Sequence, residues 1–125
     1  MENEKKLYEK DKLKIEIETA SYLIRIRWLG ECTLKNPAEF LDPILTDQLN
    51  LSLQKPMKKI ILDFQKFSFM NSSAIIPIIK ILKSARDGKG TIQVLYNKNI
   101  QWQEVLLGEL KLFETPDKKV QIRGL

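Results

Sequence analysis

The sequence contains no histidine and a single cysteine, Cys32. The first absence removes Ser-His-Asp and Cys-His nucleophile activation, both of which need an imidazole base, and it deprives a zinc site of its commonest ligand. The second excludes an internal disulfide. A lone thiol fits a reducing compartment, and its simplest reading is a small buried residue. Glycine is sparse, five in all, and no G-x-x-x-x-G-K-[ST] phosphate loop occurs. The longest apolar stretch, residues 75 to 82, is interrupted by Lys80 and is too short to span a bilayer. The opening Met1-Glu2-Asn3-Glu4-Lys5-Lys6 has mixed charge and no apolar signal core behind it, which predicts a cytoplasmic protein. An enzyme is disfavoured, and nothing in the sequence asks for a cofactor or a metal.

What is present is the balance of one globular domain, residues 1 to 125, with 43% hydrophobic and 30% charged residues. The net charge of +5 comes from 21 basic and 16 acidic residues. The lysines are interspersed with acids, and no aromatic side chains interleave with them to stack bases. The excess therefore reads as a solvated surface, with neither nucleic acid nor a membrane as partner.

Residues 1 to 10 read as a charged lead-in, helical or frayed. Leu13, Ile15 and Ile17 then alternate with Lys14, Glu16 and Glu18, and Ile24, Ile26 and Trp28 alternate with Arg25 and Arg27. This is the period of half-buried strands, and the short link between them predicts an antiparallel hairpin. Gly30 ends or kinks the second strand. Asn36-Pro37-Ala38-Glu39 and Asp42-Pro43 both resemble helix starts. Because Pro43 would interrupt a helix begun at Pro37, the reading favours a turn at 36 to 42 and a helix from 43 to about 53. The apolar run at 59 to 64 predicts a central strand. Asn71-Ser72-Ser73 supplies capping residues for a helix carrying Ile75, Ile78, Ile79, Leu82 and Ala85, closed by Gly88. A strand at 91 to 96 follows. Trp102, Val105, Leu106, Leu110 and Phe113 then mark a helix face beginning near Ile100, and residues 119 to 123 make a short last strand. The expected fold is α/β, a mixed sheet in the order β-β-α-β-α-β-α-(β) with helices mainly on one face.

The segment Leu62-Asp63-Phe64-Gln65-Lys66-Phe67-Ser68-Phe69-Met70-Asn71-Ser72-Ser73-Ala74 resembles the STAS family, whose prototypes are bacterial anti-sigma factor antagonists. Members have an apolar strand ending in Asp, an aromatic or aliphatic stretch, and Asp-Ser-Ser-Gly opening a long helix. Asp63, Phe69-Met70 and the pair Ser72-Ser73 match these features, while Asn71 replaces the Asp and Ala74 the Gly. The element order matches from about residue 12 to 123. Pro77 stands out, because in a helix capped by Ser72 or Ser73 it would remove a backbone bond and loosen the turn that bears them. Ser68 reads as an exposed loop hydroxyl, and Trp28 and Trp102 as core or rim packing.

The resemblance implies a phosphorylation-controlled partner switch without enzymatic activity. It makes Ser72 the phosphoacceptor, with Ser73 as the alternative, and puts Asp63, Phe69, Met70, Asn71 and Ser73 at the partner surface. The partners it implies are a serine protein kinase that doubles as an anti-sigma factor and a serine phosphatase that resets the switch. Some relatives control a diguanylate cyclase or another signalling target. A monomer or weak homodimer is expected. The alternative reading is a constitutive scaffold subunit that self-associates without phosphorylation.

Overall fold

The computed structural model describes residues 3 to 125; Met1 and Glu2, part of the expected lead-in, lie outside the described residues. Seven strands form one mixed sheet: β1 (Glu4–Lys10), β2 (Leu13–Thr19), β3 (Leu23–Cys32), β4 (Lys59–Asp63), β5 (Phe67–Met70), β6 (Ile92–Tyr96) and β7 (Val120–Gly124). Three α-helices, α1 (Pro37–Ser52), α2 (Ile75–Arg86) and α3 (Gln101–Gly108), connect them. β1, β2 and β3 pair antiparallel, and β3, β4, β6 and β7 run parallel. β5 continues beyond the end of β4 and also pairs with β3. The fold class expected from the sequence is the one observed.

The period-2 residues explain the layering. Leu13, Ile15, Ile17, Ile24, Ile26 and Trp28 are buried, as are Ile60, Leu62, Ile92, Val94, Val120 and Ile122 on the strands that follow. They share the face covered by the helices. The opposite face carries charge: Arg27 contacts Glu16 at 3.1 Å and Glu18 at 3.5 Å, and Arg25 contacts Asp63 at 3.8 Å. Such partly solvated pairs each contribute at most about 1 kcal/mol. They fix side-chain direction on this face more than they hold the fold together. Gly30 has φ +75°, and a Cβ there would run into the Lys12 carbonyl oxygen. The kink expected at this position is a shift in register between Gly30 and Glu31, where β3 passes from β4 to β5.

Four local expectations change. Residues 4 to 10 are an edge strand, not a helical or frayed lead-in. Only Tyr8 is half-buried, so no apolar period marks the strand; Lys5 faces Glu18 and Glu9 faces Lys14 across the ladder instead. The first helix starts at Pro37 and contains Pro43, so residues 36 to 42 are not a turn. Pro43 is exposed, and the carbonyl it leaves unpaired can turn to water, while Leu41, Ile44, Leu45 and Gln48 keep the buried stripe continuous. The helix after β5 begins as a 3-10 turn, Ser72–Ala74, before α2. Pro77 is then the third residue of α2, where no intrahelical donor is needed, and the expected loosening has no basis. The last helical segment is α3 followed by a 3-10 turn, Glu109–Phe113. Within α3 the buried face is set by Gln103 and Leu107, so Val105 is 60% exposed and is not part of the face expected of it.

Candidate functional site

The site begins where β4 ends. Asp63 Oδ1 accepts from the Gln65 backbone N–H and from Gln65 Nε2, both at 3.1 Å, turning the chain toward β5. Phe64 and Phe67 pack against Trp28 with ring centroids 4.8 and 5.9 Å away, and Trp102 meets Phe67 edge-on at 6.0 Å. Trp28 thus sits in the core and Trp102 at its rim. Gln103, fully buried, locks the same turn: its Nε2 donates to the Phe64 and Phe67 carbonyls at 2.7 and 3.0 Å. Its Oε1 accepts from the Asn97 N–H at 2.7 Å. Sequence reasoning missed Gln103, because a glutamine among helical polar residues looks solvated. Its only signal was a position next to Trp102 on an amphipathic helix.

From this anchor β5 runs to the serines. The Asn71 N–H donates to the Cys32 carbonyl at 3.0 Å, and its side-chain Nδ2 donates to the Leu34 carbonyl at 2.9 Å. None of Asn71, Ser72 and Ser73 forms the side-chain cap expected of them. Asn71 is instead a tie between the serine turn and the β3–α1 connection. An aspartate could accept but not donate there. Asn71→Asp is expected to cost about 1–3 kcal/mol, since it sets a carboxylate against a carbonyl and leaves that carbonyl unpaired. Thermal unfolding compared with wild type measures it; equal stability would refute the tie. Ala74 is fully buried with φ −71° and ψ −15°, a helical conformation in which glycine has no advantage.

Ser72 is exposed, and its hydroxyl makes no hydrogen bond among the described residues. Ser73 is half-buried and donates through Oγ to Asn71 Oδ1 at 3.3 Å. Phe69, three residues before Ser72, is 45% exposed, and Ile76, four residues after it, is 61% exposed. Ile76 went unnoticed in the sequence because it merges with the apolar run of α2. The outer side of α2 continues with Lys80, Lys83 and Arg86, all exposed. Beside it an open groove of about 380 Å³ between α1 and α2 is floored by Leu45, Leu49, Pro77 and Ile81.

The structure brings Phe69, Asn71, Ser72 and Ser73 together but separates two residues from them. Met70 is 4% exposed and packs in the core. Asp63 pairs with Arg27, whereas Met70 pairs with Cys32, five positions further along β3, roughly 17 Å at about 3.3 Å per residue. Asp63 builds the turn and pairs with Arg25 on the open sheet face. Ser68 is exposed as expected, though it lies in a strand rather than a loop.

Cys32 is fully buried next to this turn. Burial pushes its thiol above the ordinary value, with a hydrogen bond to the Leu34 backbone opposing the shift. The unfolded chain therefore loses the thiol proton first. This group's contribution to stability is complete below the usual thiol pKa and is lost as pH rises from there through the raised value of the folded protein. Cys32 is expected to react slowly with a disulfide reagent at pH 8 in the folded protein and rapidly in denaturant. Equal rates would contradict its burial.

The sheet order and the helices on one face are those of a STAS-like fold. Two solved structures share the fold. SiaC, the STAS-like activator in the complex with the diguanylate cyclase SiaD from Pseudomonas aeruginosa, is 16% identical with TM-score 0.60, over 94% of this chain and 98% of that one. An anti-sigma factor antagonist from Mycobacterium paratuberculosis is 16% identical with TM-score 0.50, over 94% of this chain and 91% of that one. At this identity the likeness is one of fold. No family model and no curated protein matches the sequence. Among the described residues, no helix is long and apolar enough to cross a membrane, and no three His, Cys, Asp or Glu side chains cluster as a metal site would require.

Proposed function

We propose that this protein is a non-enzymatic partner-switching regulator, which docks on a signalling protein through the Ser72 surface and is released when Ser72 is phosphorylated. The observation that carries the reading is the free, exposed Ser72 hydroxyl on the turn entering α2 of a STAS-like fold. Ser73 is the weaker acceptor because its hydroxyl is engaged by Asn71.

The physics is local. A phosphoserine adds nearly two negative charges at the entry to a helix, where the dipole and the first N–H groups tolerate it. The fold need not respond. Phe69 and Ile76 offer apolar anchors on either side of the serine, and Lys80 and Lys83 suit an acidic rim on the partner. Placing a dianion between those anchors forces its desolvation on docking and sets it against that acidic rim. A serine kinase that is also an anti-sigma factor fits this chemistry, with a serine phosphatase restoring the free hydroxyl. A diguanylate cyclase is the other partner class, since SiaC activates one.

The test is peptide mass spectrometry of the protein isolated from its own cells under phosphatase inhibition. Phosphate on Ser72 is expected. Phosphate on Ser73 would move the site, and none under any growth condition, with full coverage of residues 67 to 80, would remove the switch.

A further inference from the structure

The two edges of the sheet are not alike. At β7 the outward N–H groups of Val120 and Ile122 are occupied: Val120 donates to Thr115 Oγ1 and Ile122 to Glu114 Oε2, both at 3.1 Å. At β1 they are open. The Ala20 N–H donates to the Leu23 carbonyl and the Glu31 N–H to the Lys12 carbonyl, so the even-numbered residues of β2 bond toward β3. Its odd-numbered residues therefore bond toward β1, where their partners are Glu4, Lys6, Tyr8 and Lys10. The N–H and C=O groups of Lys5, Leu7 and Glu9 point out of the sheet with no partner among the described residues.

We propose that β1 is a self-pairing edge, joining two copies of this chain antiparallel about a two-fold axis at Leu7 into one continuous sheet. The register follows from the sequence of β1. With Leu7 opposite Leu7 of the second copy, Lys5 faces Glu9 and Glu4 faces Lys10, each twice by symmetry, and Lys6 lies beside Tyr8. The residues with outward backbone groups, Lys5, Leu7 and Glu9, are then the ones that meet, so all of those groups are paired. Sliding the strands by two residues in one direction sets Lys6 against Lys6, and in the other Lys6 against Lys10. Both put like charges together. Leu7, 54% exposed in the single chain, becomes the apolar centre of the seam. Charge alternates through the join: Glu18 and Lys5 of one copy continue into Glu9 and Lys14 of the other. Edge pairing over one strand buries less than the roughly 1,200 Å² of a standard stable interface, so a dissociation constant on the order of 10 μM is expected, weakening with salt.

Sedimentation equilibrium over a concentration series tests this with three variants. Leu7→Pro removes the outward N–H at the centre of the seam and none of the bonds between β1 and β2, so it should leave a folded monomer with unchanged circular dichroism. Lys5→Glu or Glu9→Lys alone puts like charges across the seam and should weaken the dimer at least about tenfold. An equimolar mixture of these two should restore it, because each Glu then meets a Lys on the other chain. The mixture controls for any damage within a chain, since that damage is present in the separate samples as well. A wild-type monomer at about 0.5 mM and low salt would overturn the proposal. So would a dimer indifferent to Leu7→Pro, a mixture no tighter than its components, or growth into open-ended polymers.

Discussion

Ser72→Asp is expected to lower affinity for the docking partner at least about tenfold, and Ser72→Ala to leave it within about twofold, because only the first places charge where the partner must desolvate it. A carboxylate carries about half the charge of a phosphate, so the phosphorylated protein should bind more weakly still. The partner is first captured with Ser72→Ala as bait, since that variant cannot be switched off, and affinities are then measured by calorimetry. Ser73→Asp separates the charge effect from the damage of a polar change: it breaks the hydrogen bond to Asn71 and should lower stability as well as binding. Ser72→Asp, at an exposed hydroxyl without partners, should change stability by no more than about 0.5 kcal/mol. Equal affinities for wild type, Ser72→Ala and Ser72→Asp would end the switch mechanism while leaving the fold and the β1 seam untouched.

The largest expected effect on stability comes from Gln103→Leu. Leucine matches the volume of glutamine but cannot replace its bonds, so the Phe64 and Phe67 carbonyls and the Asn97 N–H lose the partners that Gln103 gives them. Uncompensated buried polar groups cost about 1–3 kcal/mol each, and partial relaxation or entry of water reduces the sum. A loss of about 3 kcal/mol, or roughly 10 °C in Tm, is expected by thermal and chemical denaturation. Gln101→Leu, two residues away and exposed, is the control and should be nearly neutral. Gln103→Leu should also weaken partner binding, because the turn it locks sets the path of β5 toward Ser72. A variant as stable as wild type would show that the aromatic packing of Trp28, Phe64 and Phe67 holds this turn without the glutamine.

Elements whose own residues alternate were readable before any contact was known. Leu13-Ile15-Ile17 and Ile24-Ile26-Trp28 put one face inward whatever they pair with, and the run at 59 to 64 has the composition of a covered strand. β1 was not readable this way, since it has charge on both faces and becomes a strand only because β2 offers it a ladder. Nor was the start of α1, where local propensity at Pro43 argued for a break. The buried stripe from Leu41 to Gln48 outweighs that one missing hydrogen bond, and its burial is a tertiary fact. β5 was hidden for a related reason: it is short, and its partner on β3 becomes available only after the register shift at Gly30.

The serine turn shows the same division. By itself the sequence determined that the chain has no imidazole to activate a serine or cysteine nucleophile, that it builds a mixed sheet with helices on one face, and that two adjacent serines stand between a strand and a helix. Absent residue types and side-chain periodicity are properties of the chain alone. Tertiary structure decided which serine is free, because the Ser73 hydroxyl is claimed by an Asn71 that is itself held by Leu34 across the fold. It also separated Asp63 from the serines and turned Asn71 from a helix cap into a tie. Those outcomes depend on which carbonyl or hydroxyl lies within about 3 Å of which donor, a relation between residues as far apart as Leu34 and Asn71 that no local pattern carries.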